Sequence, residues 1–434
     1  MSIIRRITQS QLVRGSIFVF LANNAASFGN FLYNLFMGRL LGPEKYGDLG
    51  AIMSLLVLLS VPLGILSLLM VKIVSSYWGK KDYAKVKSLL NYFTPKLFGI
   101  GTVVFLLLCL SVPALSGFLH LDSYLPVLII ASCFILSFPS TFNRATLTGS
   151  LQFPYLALNG FIEIGCKLLL SVILVVLNFG LIGALLGPLI GTVAGYFLSI
   201  FELKLILGSV KKDNSIPAIG LLLKPTIPIF FAYLSLMAFF TVDIILVRHF
   251  FPAVVAGEYT ALSTTGKIIY YAIGPIIAVM FPVISSRVSS GISYILPLFG
   301  TLIVTLTLSS VAIFVYFLFP KLIIDILFGS KYLEVVPLMG IFSFYITIYS
   351  INAVLTNFLL SISYYRPIYP LFLISLSQGV LISLFHGTLI SVIWINIITS
   401  LFYLLTISFF VIRKEYGTFA KIFMKILPQG TYGG

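Results

Sequence analysis

Apolar residues in this chain come in long runs broken by short polar turns. A helix rises 1.5 Å per residue, so about 20 apolar residues cross the roughly 30 Å hydrocarbon layer of a bilayer. Segments of that kind occupy residues 15–37, 49–76, 89–112, 124–147, 154–177, 181–207, 221–249, 257–286, 293–318, 334–361, 367–385 and 388–412. The pattern predicts an all-α polytopic membrane protein with about twelve spanning helices. Every connecting loop is short, which leaves no room for a separate aqueous domain.

Composition sharpens this picture. Hydrophobic residues make up 59% of the 434 and charged residues 9%, and the mean hydropathy is +1.12. Soluble domains carry about 25% charged residues. Cys109, Cys133 and Cys166 sit inside apolar runs and read as small buried hydrophobes, not as a disulfide framework. His120, His249 and His386 are scattered; no cluster has metal-ligand spacing, so neither a metal nor a cofactor is expected. The first apolar run carries several Asn and ends in no small-residue cleavage site, so it reads as the first span, not a cleavable signal.

A net charge of +15 raises the possibility of a nucleic-acid partner, but the placement of the charge argues against it. Of the 27 Lys and Arg residues, Lys72, Lys96, Lys167 and Lys267 fall within spans. Arg39, Lys45, Arg248, Lys321 and Lys331 lie on the side opposite the amino terminus, and the remaining eighteen flank the amino-terminal side. The positive-inside rule then sets both termini in the cytoplasm. The run KKDYAKVK (80–87) reads as a solvated inner loop against anionic headgroups.

The chain also repeats itself. GRLLGPEKYGDLGA (38–51) aligns with VRHFFPAVVAGEYTA (247–261), matching Arg39 to Arg248, Pro43 to Pro252 and Gly47 to Gly257. LNFGLIGALLGPLIGTVAGY (177–196) aligns with LFHGTLISVIWINIITSLFY (384–403) at a similar offset. Six spans per half is the expectation for a transporter of two parallel bundles around a central cavity. The linker SVKKDNSIPAIG (209–220) marks the boundary, giving lobes 1–210 and 211–434.

Polar residues inside the spans are the candidate site. Asn23, Ser27, Asn30 and Asn34 share one face of the first span. Asn is costly in lipid without a partner, so this stripe faces protein or water; interhelical hydrogen bonding and a hydrated cavity both fit. Asn159, Glu163 and Lys167 share a face of span five, and the i,i+4 spacing lets Glu163 pair with Lys167. Intramembrane charges are expensive and mark pathways. Lys267 lies near the middle of span eight and Asp243 in span seven. Lys72, Arg144 and Arg287 end spans two, four and eight, where they either snorkel or point inward. The candidate cavity residues are therefore Asn23, Asn30, Asn34, Arg39, Lys72, Arg144, Glu163, Lys167, Arg248, Lys267 and Arg287. Glu163 and Asp243 are the candidates for coupling to a proton or sodium gradient. Such an excess of cations suits an anionic cargo, with phosphate or pyrophosphate held by charge-assisted hydrogen bonds. Gly183, Gly187 and Pro188 inside a span read as joints or as points of close packing.

Three stretches resemble a known family. GRLLGPEKYGDLGAIMSLLVLLSVP (38–62), with the basic loop YWGKKDYAKVKSLL (77–90), resembles the amino-terminal pattern of polysaccharide flippases in the MOP superfamily. That group is related to multidrug and toxin extrusion (MATE) transporters and to peptidoglycan-precursor flippases. LTGSLQFPYLALNGFIEIGCKLLL (147–170) is similar to its fifth span, and TVDIILVRHFFPAVVAGEYTALSTTGKIIYYAIGPI (241–276) to its seventh and eighth. The resemblance covers most of residues 10–290. It implies a MATE-like fold, alternating access, and a polyprenyl-pyrophosphate-linked oligosaccharide carried across the cell membrane for surface polysaccharide synthesis. It also implies membrane lipids around the carrier and a glycan polymerase or glycosyltransferases of the same pathway as partners. The alternative is a MATE-like multidrug or cation antiporter, whose cavity would be lined by acids and aromatics. A membrane enzyme would need an Asp-rich metal motif or a large outer loop. The chain has no D-x-D, so it is not expected to be an enzyme.

Overall fold

The computed structural model describes residues 11–210 and 226–426, with side chains over 26–210 and 226–415. Among these residues every regular element is a helix. They are α1 (Gln11–Leu59), α2 (Val61–Gly79), α3 (Tyr83–Phe118), α4 (Leu125–Gly149), α5 (Phe153–Leu174), α6 (Gly180–Leu207), α7 (Thr226–Phe250), α8 (Ala253–Gly266), α9 (Ile268–Ser289), α10 (Ile295–Leu318), α11 (Pro320–Leu327), α12 (Met339–Ser361), α13 (Ile368–Leu384) and α14 (Leu389–Ile426). A π-helical turn, Val175–Phe179, joins α5 to α6, and a 3-10 segment, Ser330–Leu338, precedes α12.

Nine helical stretches among the described residues are long and apolar enough to cross a membrane. Two of them, Ala26–Gly79 with 54 residues and Phe153–Leu207 with 55, are about 80 Å of helix, enough for two crossings each. Both bend where the sequence requires it. Gly42 takes φ 73 directly before Pro43, a conformation open to glycine and closed to most residues. Asn178 at φ 68 and Gly180 at φ 53 turn the chain between α5 and α6. With each long stretch counted as two crossings and the shorter apolar helix α13 added, the helices coincide with the twelve segments read from the sequence. The protein is a multi-pass, all-α membrane protein.

The helices pack as two compact units. The first holds α1 to α6, both ends of α7, α8 as far as Thr265, and residues 320–337. Here α5 and α6 form a hairpin against which α1 and α4 pack, with α2 and α3 on α4. Phe142, Met70, Ile73, Leu89 and Leu97 fill the α2–α3–α4 contact. The hairpin is close because α6 presents glycine every fourth residue. A Cβ on Gly187 would lie 1.9 Å from Ser171 Oγ, and one on Gly191 2.7 Å from the Glu163 carbonyl oxygen. Between apolar helices in lipid, such close contact replaces the hydrophobic drive that water supplies elsewhere.

The second unit holds residues 231–239, α9, α10 and α12 to α14. Its centre is α12, packed by α9, α10 and α14, with Phe342, Tyr345, Tyr349 and Phe358 fully buried. Tyr345 donates its hydroxyl to the Phe239 carbonyl. One polar bond recurs in both units. Asn143 of α4 donates to Ser199 Oγ of α6 at 2.9 Å, and Asn352 of α12 donates to Ser400 Oγ of α14 at 3.1 Å.

Candidate functional site

The first unit gathers a charged cluster from α1, α4, α5 and α6. Lys167 of α5 donates from Nζ to Asn30 Oδ1 of α1 at 2.7 Å. The same ammonium stands 4.2 Å from the centre of the Tyr33 ring, a cation–π distance. Tyr33 is itself pinned, because its buried hydroxyl donates to the Ala184 carbonyl of α6 at 2.9 Å. Asn30 and Asn34 turn their amide nitrogens back onto the carbonyls of Ala26 and Asn30, at 3.0 and 2.8 Å. That leaves Asn30 Oδ1 for Lys167. The side chain of Asn23 lies outside the described residues.

Glu163 does not pair with Lys167, as the i,i+4 spacing suggested. It forms an ion pair with Arg144 of α4. The spacing sets both charges on one face of α5, but the helices packed there choose their partners: α4 brings a guanidinium to Glu163, and α1 brings an amide oxygen to Lys167. Among the described residues no carboxylate lies within ion-pair distance of Lys167. Its visible partners are an amide oxygen and an aromatic face, both neutral. An ammonium has three N–H donors, so an incoming anion would compete only with weak partners.

Two more residues join this cluster: Asn159, which the sequence set on the Glu163 face, and Glu202, which sequence reasoning missed. Asn159, one turn before Glu163, donates to the Gly195 carbonyl at 2.8 Å and reaches Glu202 Oε2 at 3.4 Å. Glu202 is 1% exposed. Its signal was present in the sequence, an acid inside the span 181–207.

Other candidates are committed elsewhere. Arg39 donates to the carbonyls of Leu327, at 2.9 Å, and Ile326 at the end of α11. Arg248 is buried in an ion pair with Asp48 and donates to the His120 carbonyl. Arg287 donates to Ser293 O at 3.0 Å, a local turn. Lys72 is exposed on α2. Asp243 is fully buried, with Oδ2 accepting from Tyr259 at 2.7 Å and Oδ1 from the Ile244 N–H at 2.9 Å. Lys267 belongs to the second unit and is buried. It occupies the joint between α8 and α9, where the predicted eighth span is interrupted.

A family model described as polysaccharide biosynthesis protein matches residues 12–288. No curated protein matches the chain. Among solved structures, the chain is similar to an inward-facing multidrug resistance MATE family transporter of the MOP superfamily, at 12% identity and a TM-score of 0.73. The match covers 88% of this chain and 94% of that one. It is similar to the lipid II flippase MurJ in an inward closed conformation, at 18% identity and a TM-score of 0.68, over 92% of this chain and 87% of that one. It is also similar to the MATE multidrug transporter DinF-BH in complex with R6G, at 14% identity and a TM-score of 0.67, over 93% and 95%. At these identities the likeness is one of fold.

Proposed function

The chain belongs to the polysaccharide biosynthesis protein family, and from that membership we propose that it flips a polyprenyl-pyrophosphate-linked oligosaccharide from the cytoplasmic to the outer leaflet of the cell membrane. The coarser statement stands on the family and the fold together: this is a MOP-type flippase or transporter. The observation that carries the finer reading is Lys167, an ammonium held inside a spanning helix by neutral groups next to the Arg144–Glu163 pair. A pyrophosphate suits such a place, because it accepts charge-assisted hydrogen bonds from both cations. The prenyl tail would stay in lipid while the sugar crosses.

In this reading lobes 1–210 and 211–434 open alternately to the two sides, with both termini cytoplasmic. Lys72, Lys267 and Arg287 would add positive charge along the cargo's path. Glu163 and Asp243 are the acids through which a proton or sodium gradient would act, and the glycan polymerase or glycosyltransferases of the pathway would be the partners. The likeness to MATE transporters favours a second reading, a multidrug or cation antiporter. An organic cation would be repelled by Lys167 and Arg144, which argues for the anionic cargo.

Complementation of a strain lacking its own polysaccharide flippase tests this. Lys167→Ala is expected to abolish export at normal protein level, and Lys167→Arg to keep part of it. Normal export by Lys167→Ala would overturn the reading, and a drug-efflux phenotype without export would turn it into the second one.

A further inference from the structure

The α6 helix carries Pro188 in its interior. Proline has no backbone N–H, so the carbonyl four residues earlier, that of Ala184, loses its helical donor. In lipid such a carbonyl is satisfied by side chains of neighbouring helices. Two hydroxyls reach it. Ser171 Oγ of α5 donates to the Ala184 carbonyl at 2.9 Å, and the Tyr33 hydroxyl of α1 donates to the same atom at 2.9 Å. Both residues are buried.

Ser171 alone would satisfy this carbonyl. Packing alone would accept a phenylalanine in place of Tyr33, because a buried hydroxyl is costly unless it finds a partner. The Tyr33 hydroxyl therefore adds what neither demands: it fixes the depth and rotation of its ring. On the face of that ring stands Lys167 Nζ, 4.2 Å from the centre.

The other group on the ammonium is anchored in the same manner. Lys167 Nζ donates to Asn30 Oδ1 at 2.7 Å, and the Asn30 amide nitrogen is tied to the Ala26 carbonyl at 3.0 Å. Each partner of Lys167 is thus fixed to a backbone carbonyl, one in α1 and one in α6. A lysine side chain otherwise has wide rotamer freedom, and a group ordered before its ligand arrives loses less on binding. The ring covers one side of the ammonium. Lys167 is half-buried and Asn30 is exposed, so the seat is reachable from another side.

We propose that Tyr33 is a positioning residue for the Lys167 cation, aligned through the Ala184 carbonyl that Pro188 leaves open. The seat fits an anion of the phosphate class, which takes the ammonium N–H donors that Asn30 does not use. That this anion is the pyrophosphate of a lipid-linked cargo rests on the flippase reading; the alignment itself does not.

The test reads the position of the cation directly. The purified full-length chain in detergent is reductively methylated with isotope-labelled formaldehyde, which keeps each lysine charged, and the dimethyl-lysine signals are recorded by NMR. The signal missing from Lys167→Arg belongs to Lys167. Ring current is expected to shift it upfield of the other lysines. Tyr33→Leu should abolish that shift, and Tyr33→Phe, which keeps the buried ring but not its anchor, should keep part of it. Where Tyr33→Leu does not fold, Tyr33→Phe carries the same test. Pro188→Ala returns an N–H to the Ala184 carbonyl and should weaken the shift, but not further in the Tyr33→Phe background, where the anchor is already gone. In complementation at normal protein level, Tyr33→Leu should lose export and Tyr33→Phe should keep part of it. A Lys167 signal among those of the other lysines overturns the proposal. So does a shift unaltered in both Tyr33 variants, an equal effect of Pro188→Ala with and without the Tyr33 hydroxyl, or normal export by Tyr33→Leu once the shift is lost. The shift is read without cargo, so its failure is separate from that of Lys167→Ala complementation, which tests the flippase reading.

Discussion

Arg248 donates from Nε to Asp48 Oδ1 at 2.7 Å, and the two residues stand 200 positions apart in the chain. Both are buried. They lie in the two segments that share a residue pattern, 247–261 and 38–51, and the first unit folds these segments onto each other. The arrangement has a counterpart. Arg248 also donates to the carbonyl of His120, and the matching Arg39 donates to the carbonyl of Leu327. The arginines are 209 positions apart and the carbonyls 207, so each repeat offers an arginine to the helix end of the other.

Breaking a buried ion pair leaves an uncompensated charge, which costs about 3–5 kcal/mol. Arg248→Ala and Asp48→Ala are each expected to destabilise the purified protein by that order in thermal unfolding. The double variant should lose much less than the total of the two. Additive losses would show that the pair does not act as a unit.

The neighbouring pair Lys45–Asp122 has the same length class, 2.9 Å, but Asp122 is 85% exposed. The Lys45 ammonium holds the Asp122 carboxyl below the usual carboxylate range, chiefly through their hydrogen bond. Its contribution is present above the unfolded carboxylate pKa and is lost as pH falls through the lowered folded value. In water such pairs contribute little. Asp122→Asn is expected to leave the melting temperature unchanged at neutral pH, while Asp48→Asn lowers it.

Gly257 is a packing requirement. A Cβ there would lie 1.7 Å from the Pro43 carbonyl oxygen, a backbone atom that cannot swing aside. Gly257→Ala is expected to cost about 3 kcal/mol, the upper end for overpacking, or to prevent folding. Gly274 has nothing within 4 Å of its would-be Cβ and is helical, so Gly274→Ala should be neutral or stabilising by up to about 1 kcal/mol. Equal effects in the two variants would contradict this packing.

Glu163 and Arg144 are both partly exposed, so their pair is worth about 1 kcal/mol. Arg144→Glu and Glu163→Arg should each lose stability, and the combined swap should recover it. Export is expected to stay impaired in the swap, because the cation then projects from α5 instead of α4. Full recovery of export would make the pair structural only.

The topology follows from the loop charges. In a chain stripped of Cys109, Cys133 and Cys166, single cysteines at Lys45 and Lys331 should label from outside the cell, and those at Asp82 and Arg366 from the cytoplasm. The reverse pattern would refute the orientation.

The helices were legible in the sequence because length and apolarity are local sums. Twenty apolar residues must satisfy their own backbone in lipid whatever surrounds them. The bend at Gly42 was legible as a turn for the same reason, since Gly-Pro is a local constraint. The placing of Lys167 on a polar face of its span was likewise readable from period alone.

Partnership was not. Whether Glu163 takes Lys167 or Arg144 depends on which helix lies across α5, and both choices satisfy the spacing. The burial of Glu202 beside Asn159 also depends on a neighbour distant in the chain. Arg39 and Arg248 read as cations facing a cavity, yet their guanidinium groups close helix ends in the opposite repeat. The sequence by itself determined which residues are helical, which helices are apolar and which faces carry charge. Only the tertiary structure decided which charges meet, because a hydrogen bond is set by the rotation and approach of helices whose residues lie up to two or three hundred positions apart.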